Sequence, residues 1–125
     1  MDGESNVIRG LPFTLAARTG VVASETNPEE LLAAAHAACF AMALANQLTR
    51  RDAPPERLVV TATCALDEVD GANRIVESRL SVRAAAAVRE ETLASAVADA
   101  DERCPFSALV RASGRVVVEA SLEPS

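Results

Sequence analysis

Residues 26–42 read TNPEELLAAAHAACFAM, and their conformation determines what the rest of the chain has to cover. Asn27 is a good helix N-cap, Pro28 suits the first helical position, and Glu30 follows Asn27 at capping-box spacing. An almost uncharged run follows. The spacing predicts a helix from about 28 to 50, stopped before Asp52-Ala53-Pro54-Pro55, which cannot continue it. Leu32, Ala35, Cys39 and Met42 fall at 3-4-3 spacing into one apolar stripe that turns polar at Asn46. The opposite side, with Ala33, Ala37 and Ala41, is hardly more polar. A helix apolar all round is covered all round. A sheet accounts for one side, and a second subunit is the natural cover for the other.

Cys39 lies in the middle of this run. A free cysteine in apolar surroundings is by default an inert core residue, because burial raises the thiol pKa. Reactivity would require a cation. The helix N-terminus does not supply it, since Cys39 is eleven residues past Pro28 and the dipole fades within the first turn. An arginine from elsewhere in the fold would have to do so. Metal binding is not indicated: three cysteines at 39, 64 and 104 and one histidine make no zinc-type spacing.

Outward from the helix, residues 56–69 (ERLVVTATCALDEV) alternate. Val60, Ala62, Cys64 and Leu66 share one face, Thr61, Thr63 and Asp67 the other. Asp70-Gly71 is a turn signal. Val76, Ser78, Leu80, Val82 and Ala84 then oppose Glu77, Arg79, Ser81 and Arg83, so an antiparallel hairpin is expected. Residues 89–103 predict a second helix with Leu93, Ala96, Val97 and Ala100 on its apolar side. Cys104, followed by Pro105, is biased out of helical geometry and ends it. Residues 114–122 predict a last strand, with Val116, Val118, Ala120 and Leu122 on one face. Residues 6–16, broken by Gly10 and Pro12, are expected as an irregular or edge strand, and 19–26 as a loop. The fold class is α+β: an antiparallel sheet with a buried central helix and a second helix.

The totals agree with one domain over residues 1–125. Half of the residues are apolar, but with only three Phe and no Trp or Tyr the core is built from small side chains. Such a chain gains from burying surface against a second copy of itself. A net charge of −6 with scattered basic residues excludes a phosphate-binding face, so nucleic acid is not a partner. No apolar run reaches the roughly 18–20 residues of a membrane span; residues 31–46 come close, but Glu29, Glu30, His36, Asn46 and Gln47 mark a buried helix. The acidic MDGESN start is not a signal peptide. An odd cysteine count argues against a secreted disulfide framework, and a cytoplasmic location is expected.

The stretch TNPEELLAAAHAACFAMALA at 26–45, with the segment CPFSALVRASGRVVVEASLE from Cys104 onward and LDEVDG between them, resembles the OsmC/Ohr family, osmotically inducible protein C and organic hydroperoxide resistance protein. The resemblance covers about residues 10–123, and TNPEEL with His36 looks more like the OsmC branch. It implies an intertwined homodimer with active sites at the subunit interface. It implies a thiol peroxidase that reduces organic hydroperoxides without haem, metal or flavin and is reset by an external dithiol, of the lipoyl type in the family. By match to the motif, Cys39 takes the role of peroxidatic cysteine and Cys104 that of resolving cysteine. Glu29 matches the glutamate that holds an arginine over the thiolate.

That arginine belongs ahead of the TNPEEL helix, where the family's first strand or hairpin is expected to be reduced or absent in this chain. Arg18 in FTLAARTG is the favoured candidate and Arg9 in VIRG the other. Glu29 and Cys39 lie ten residues apart on one helix, about 15 Å along its axis, so a shared site needs a long arginine as bridge or a glutamate from the partner subunit. His36 is expected to pack and hydrogen-bond rather than act as a base. Cys64 is expected in the core, and Glu30 in the helix cap. The competing reading is an OsmC-fold dimeric small-molecule-binding or stress protein without peroxidase activity.

Overall fold

The structure, a computed structural model, describes residues 1, 3–5, 7–13 and 25–124. Its elements are α1 (Pro28–Arg50), β1 (Arg57–Val69), β2 (Ala72–Ala85), α2 (Glu90–Arg103), α3 (Pro105–Arg111) and β3 (Arg115–Leu122). The class is α+β, as expected.

α1 starts where the sequence places it. The Asn27 side-chain oxygen accepts the Glu30 backbone N–H at 2.8 Å, and Pro28 opens the first turn. The Glu30 carboxylate accepts from the Thr26 hydroxyl, so it braces the residue before the cap. At the far end, Arg51 folds back on Gln47, bonding its backbone oxygen at 3.0 Å and its side-chain oxygen at 2.9 Å, and reaches Asp99 of α2 at 2.7 Å.

The face that α1 turns inward differs from the expected stripe. Its buried residues are Glu29, Ala33, His36, Phe40, Leu44, Gln47 and Leu48. The larger apolar side chains Phe40, Leu44 and Leu48 have more area to bury than the alanines, and this sets the rotation of the helix. The stripe through Leu32, Ala35, Cys39 and Met42 flanks that face, half-buried until Met42, which is 75% exposed. By length and apolar content α1 would suffice to cross a bilayer. In this fold it is the core helix, because Phe40, Leu44 and Leu48 are fully buried against the rest of the domain.

β1 and β2 form the expected antiparallel hairpin, closed by Asp70 and Gly71, both at positive φ (52° and 81°). Two such residues make the turn whose twist matches the flanking strands. β2 is longer than its alternation suggested, beginning at Ala72, and a register shift at Ala65/Leu66 bends the ladder. Ser78, Leu80, Val82 and Ala84 are buried as the pattern required.

Two features depart from expectation. β3 pairs with β2 in parallel, Glu77 opposite Arg115 through Ala84 opposite Leu122, so the sheet, ordered β1-β2-β3, is mixed rather than antiparallel. Alternation fixes which face of a strand is buried and is silent on direction. The helical connection over residues 86–114 is long enough for the crossover that a parallel pair needs. The second departure is α3, a short helix beginning at Pro105 that turns the chain from Cys104 toward β3. The expected strand over 6–16 lies partly outside the described residues. Over 7–13 the structure holds one isolated bridge, Phe13 to Thr26.

Candidate functional site

α1, α2 and α3 meet at the two thiols singled out in the sequence. Cys104 is the end of α2 and the start of α3, extended at φ −79°, ψ 114°. Pro105 forces that geometry. It is fully buried, while Cys39 is half-buried against the same cluster. The two side chains face each other within interaction range, and both thiols are free. Burial pushes the Cys39 thiol above its ordinary pKa, and the Cys104 thiol beside it pushes further. The backbone N–H of Phe106, in the first turn of α3, points to the Cys39 sulfur and pulls the other way. That N–H was not foreseen; the Cys-Pro-Phe order, with proline at the first helical position, is the signal that could have revealed it.

His36, one turn before Cys39, is fully buried and bonded at both ring nitrogens. Nδ1 lies 2.7 Å from Ser78 Oγ on β2, and Nε2 lies 2.8 Å from Ser107 Oγ on α3. Burial lowers its pKa, opposed by the charge of Asp101 and assisted by that of Arg111. It packs and hydrogen-bonds, as the sequence suggested. Its serine partners were not foreseen, because nothing in the sequence joins positions 36, 78 and 107.

Glu29 is not brought to Cys39. It is 9% exposed and lines a groove of about 400 Å³ between the start of α1 and β1, with Ala33, Ala62, Cys64 and Leu66. The unbroken helix between them keeps Glu29 about 15 Å from Cys39 along the axis. Cys64 opposes Ser78 in the ladder. It is half-buried at the groove rather than closed in the core. Burial raises its pKa, the Ser78 hydroxyl lowers it, and the Glu29 charge raises it. Arg18 lies outside the described residues. Arg9 is described and exposed. Among the described residues, no three His, Cys, Asp or Glu side chains gather where they could hold a metal ion.

A pair of neighbouring free thiols, one buried and one half-buried, is suited to reversible disulfide formation. Comparison with known proteins points the same way. Residues 22–119 match the model of a protein family described as OsmC-like protein. Peroxiredoxin OsmC of Escherichia coli (strain K12) is 38% identical over 88 residues, covering 70% of this chain and 62% of its own. The chain thus spans less than two thirds of that relative's length. The crystal structure of organic hydroperoxide resistance protein OhrB of Bacillus subtilis superposes with a TM-score of 0.65 at 32% identity, covering 86% of this chain and 76% of its own. An organic hydroperoxide resistance protein from Elizabethkingia anophelis shares the fold at a TM-score of 0.78 and 22% identity, over 99% of this chain and 86% of its own.

Proposed function

The chain belongs to the OsmC-like protein family, and on that premise we propose that it is a cysteine-based peroxidase reducing organic hydroperoxides to alcohols. The observation that carries this reading is the juxtaposition of Cys39 and Cys104 at the junction of three helices. The Cys39 thiolate attacks the distal peroxide oxygen, the O–O bond breaks and the alcohol leaves, and Cys39 becomes a sulfenic acid. Cys104 sulfur then attacks the Cys39 sulfur. The S–S bond forms, the S–O bond breaks, and the oxygen departs as water with the Cys104 proton. An external dithiol, of the lipoyl type, reopens the disulfide by exchange. The location in keeping with this cycle is the reducing cytoplasm.

The site is composite in this reading. The stripe through Leu32, Ala35, Cys39 and Met42 is apolar, and Met42 is 75% exposed, so a second copy of the chain is its cover. Each Cys39 then receives an arginine, Arg18 ahead of Arg9, held by a Glu29 that its own α1 keeps about 15 Å away. Alkyl groups on the peroxide suit the apolar surface that the second copy closes.

The test is reduction of cumene or tert-butyl hydroperoxide with a dithiol donor, comparing wild type with Cys39→Ser and Cys104→Ser. Wild type turns over, Cys39→Ser does not, and Cys104→Ser fails to form the intramolecular disulfide. Mass spectrometry after one equivalent of peroxide gives a Cys39–Cys104 disulfide; a disulfide to Cys64 overturns the assignment. Equal activity in all three proteins leaves the alternative, a dimeric small-molecule-binding or stress protein.

A further inference from the structure

We propose that His36 is a positioning residue, a buried brace that holds Cys104 against Cys39 by tying down Ser107; the inference rests on the two-cysteine reading above. The ring spans the two backbone segments that carry the thiols. His36 is three residues before Cys39 on α1, and Ser107, its Nε2 partner at 2.8 Å, is three residues after Cys104 on α3. On its other side the ring bonds Ser78 of β2 at 2.7 Å, and the core packed around it holds it in place. His36, Ser78 and Ser107 are all fully buried, and no water competes for these bonds.

A neutral imidazole has one donor and one acceptor, and a serine hydroxyl can do either. Both ring nitrogens are therefore satisfied in either tautomer, one giving its N–H to a serine oxygen and the other accepting a serine O–H.

α3 needs such a tie. Seven residues are too few for a helix to hold itself, and its placement comes from tertiary contacts. Its ties include the buried Val110 and the Arg111–Asp101 ion pair at its far end, and, at the end that carries Cys104, the packing of Phe106 on the core and the bond of Ser107 to His36. Without the ring, Ser107 has a buried hydroxyl that has lost its partner, and the first turn of α3 is held by packing alone. Both the approach of the Cys104 sulfur and the Phe106 N–H at Cys39 depend on that turn.

The test measures how strongly Cys104 is presented to Cys39, without peroxide. The whole chain is equilibrated in glutathione redox buffers, and the fraction carrying the Cys39–Cys104 disulfide is read by mass spectrometry after acid quench. That fraction gives the effective concentration of one thiol at the other. Ser107→Ala and His36→Leu should lower it about tenfold or more, the size expected for a lost buried hydrogen bond that leaves a partner unsatisfied. His36→Gln, whose carboxamide can donate to or accept from Ser107, should recover to within about threefold of wild type. Ser78→Ala removes a buried bond of the same kind but leaves Ser107 tied, and should also stay within about threefold. Circular dichroism establishes that each variant is folded, and Ser107→Ala carries the test if the His36 variants are not. Wild-type equilibria in Ser107→Ala and His36→Leu would overturn the proposal, as would an equal loss in Ser78→Ala and Ser107→Ala, because the bonds would then merely stabilise the core. A wild type that forms the disulfide but leaves cumene hydroperoxide intact refutes the peroxidase reading and not the brace.

Discussion

Replacing Arg18 with alanine should slow the reaction of Cys39 at neutral pH, and the size of the effect follows from the thiol's surroundings. Burial and the Cys104 thiol hold Cys39 above its ordinary value of 9.0, against one backbone N–H that lowers it. A thiol above 9.0 is less than about 1% ionised at pH 7, and the thiolate is the reactive form. Pairing with an arginine brings a cysteine to about 7.5 or below, where roughly a quarter or more is ionised. Loss of the arginine therefore removes at least about 25-fold of the reactive species. Part of this returns, because a thiolate of higher pKa is the stronger nucleophile. With a Brønsted slope of about 0.4–0.5, a shift of about 1.5 units restores roughly fivefold. The net expectation is a decrease of about fivefold in the rate of Cys39 alkylation by iodoacetamide at pH 7, with the midpoint of its profile moved upward. The assay is the pH–rate profile of Cys39 in a Cys64→Ser, Cys104→Ser background, where one thiol remains. Arg9→Ala should leave the profile in place. A profile unchanged in both arginine variants would refute the pairing, and a shift in Arg9→Ala alone would transfer the role to Arg9.

Three further outcomes are expected. Burial lowers the His36 pKa below the ordinary 6.5, so on acidification the unfolded chain takes up this proton first. The stability His36 contributes is complete above about pH 6.5 and is lost as pH falls through its lowered folded value. Urea midpoints of His36→Gln between pH 7.5 and 5 should fall less steeply than those of wild type, and parallel slopes would contradict this. Gly114→Ala should destabilise by about 1–3 kcal/mol. Its new Cβ would sit 2.3 Å from the Val76 carbonyl oxygen and 2.4 Å from its carbon, backbone atoms that cannot swing aside; thermal melts followed by circular dichroism measure the loss. Asn27→Ala removes the acceptor for the Glu30 N–H and should cost about 1 kcal/mol, whereas Asn27→Asp should cost little in the same melts.

The difference between what was legible and what was not lies in the range of the interactions. Asn27, Pro28 and Glu30 specify the start of α1 through bonds spanning four residues or fewer, and Asp70-Gly71 specifies the hairpin through its own φ angles. The inner faces of β2 and α2 followed from periods of 2 and 3.6. The rotation of α1 did not, because a helix rich in alanine has no strongly preferred face. Phe40, Leu44 and Leu48 decide it only once a sheet and α2 are there to receive them. The same rotation places His36 inward and leaves Cys39 at the margin of the core.

By itself, the sequence determined α1, the β1–β2 hairpin, α2 and β3, the buried faces of β2 and α2, and the family, because each is encoded along one segment. It also supplied Cys39 and Cys104 as a pair to be tested, through the resemblance of the segments around them. Only the tertiary structure decided that β3 runs parallel to β2, that Cys104 faces Cys39, and that Glu29 sits at a groove beside Cys64 instead. Tertiary packing also joined Ser107, His36 and Ser78 through buried hydrogen bonds. These residues come from three different elements, and no local pattern along the chain records which side chains will meet when those elements close on one another.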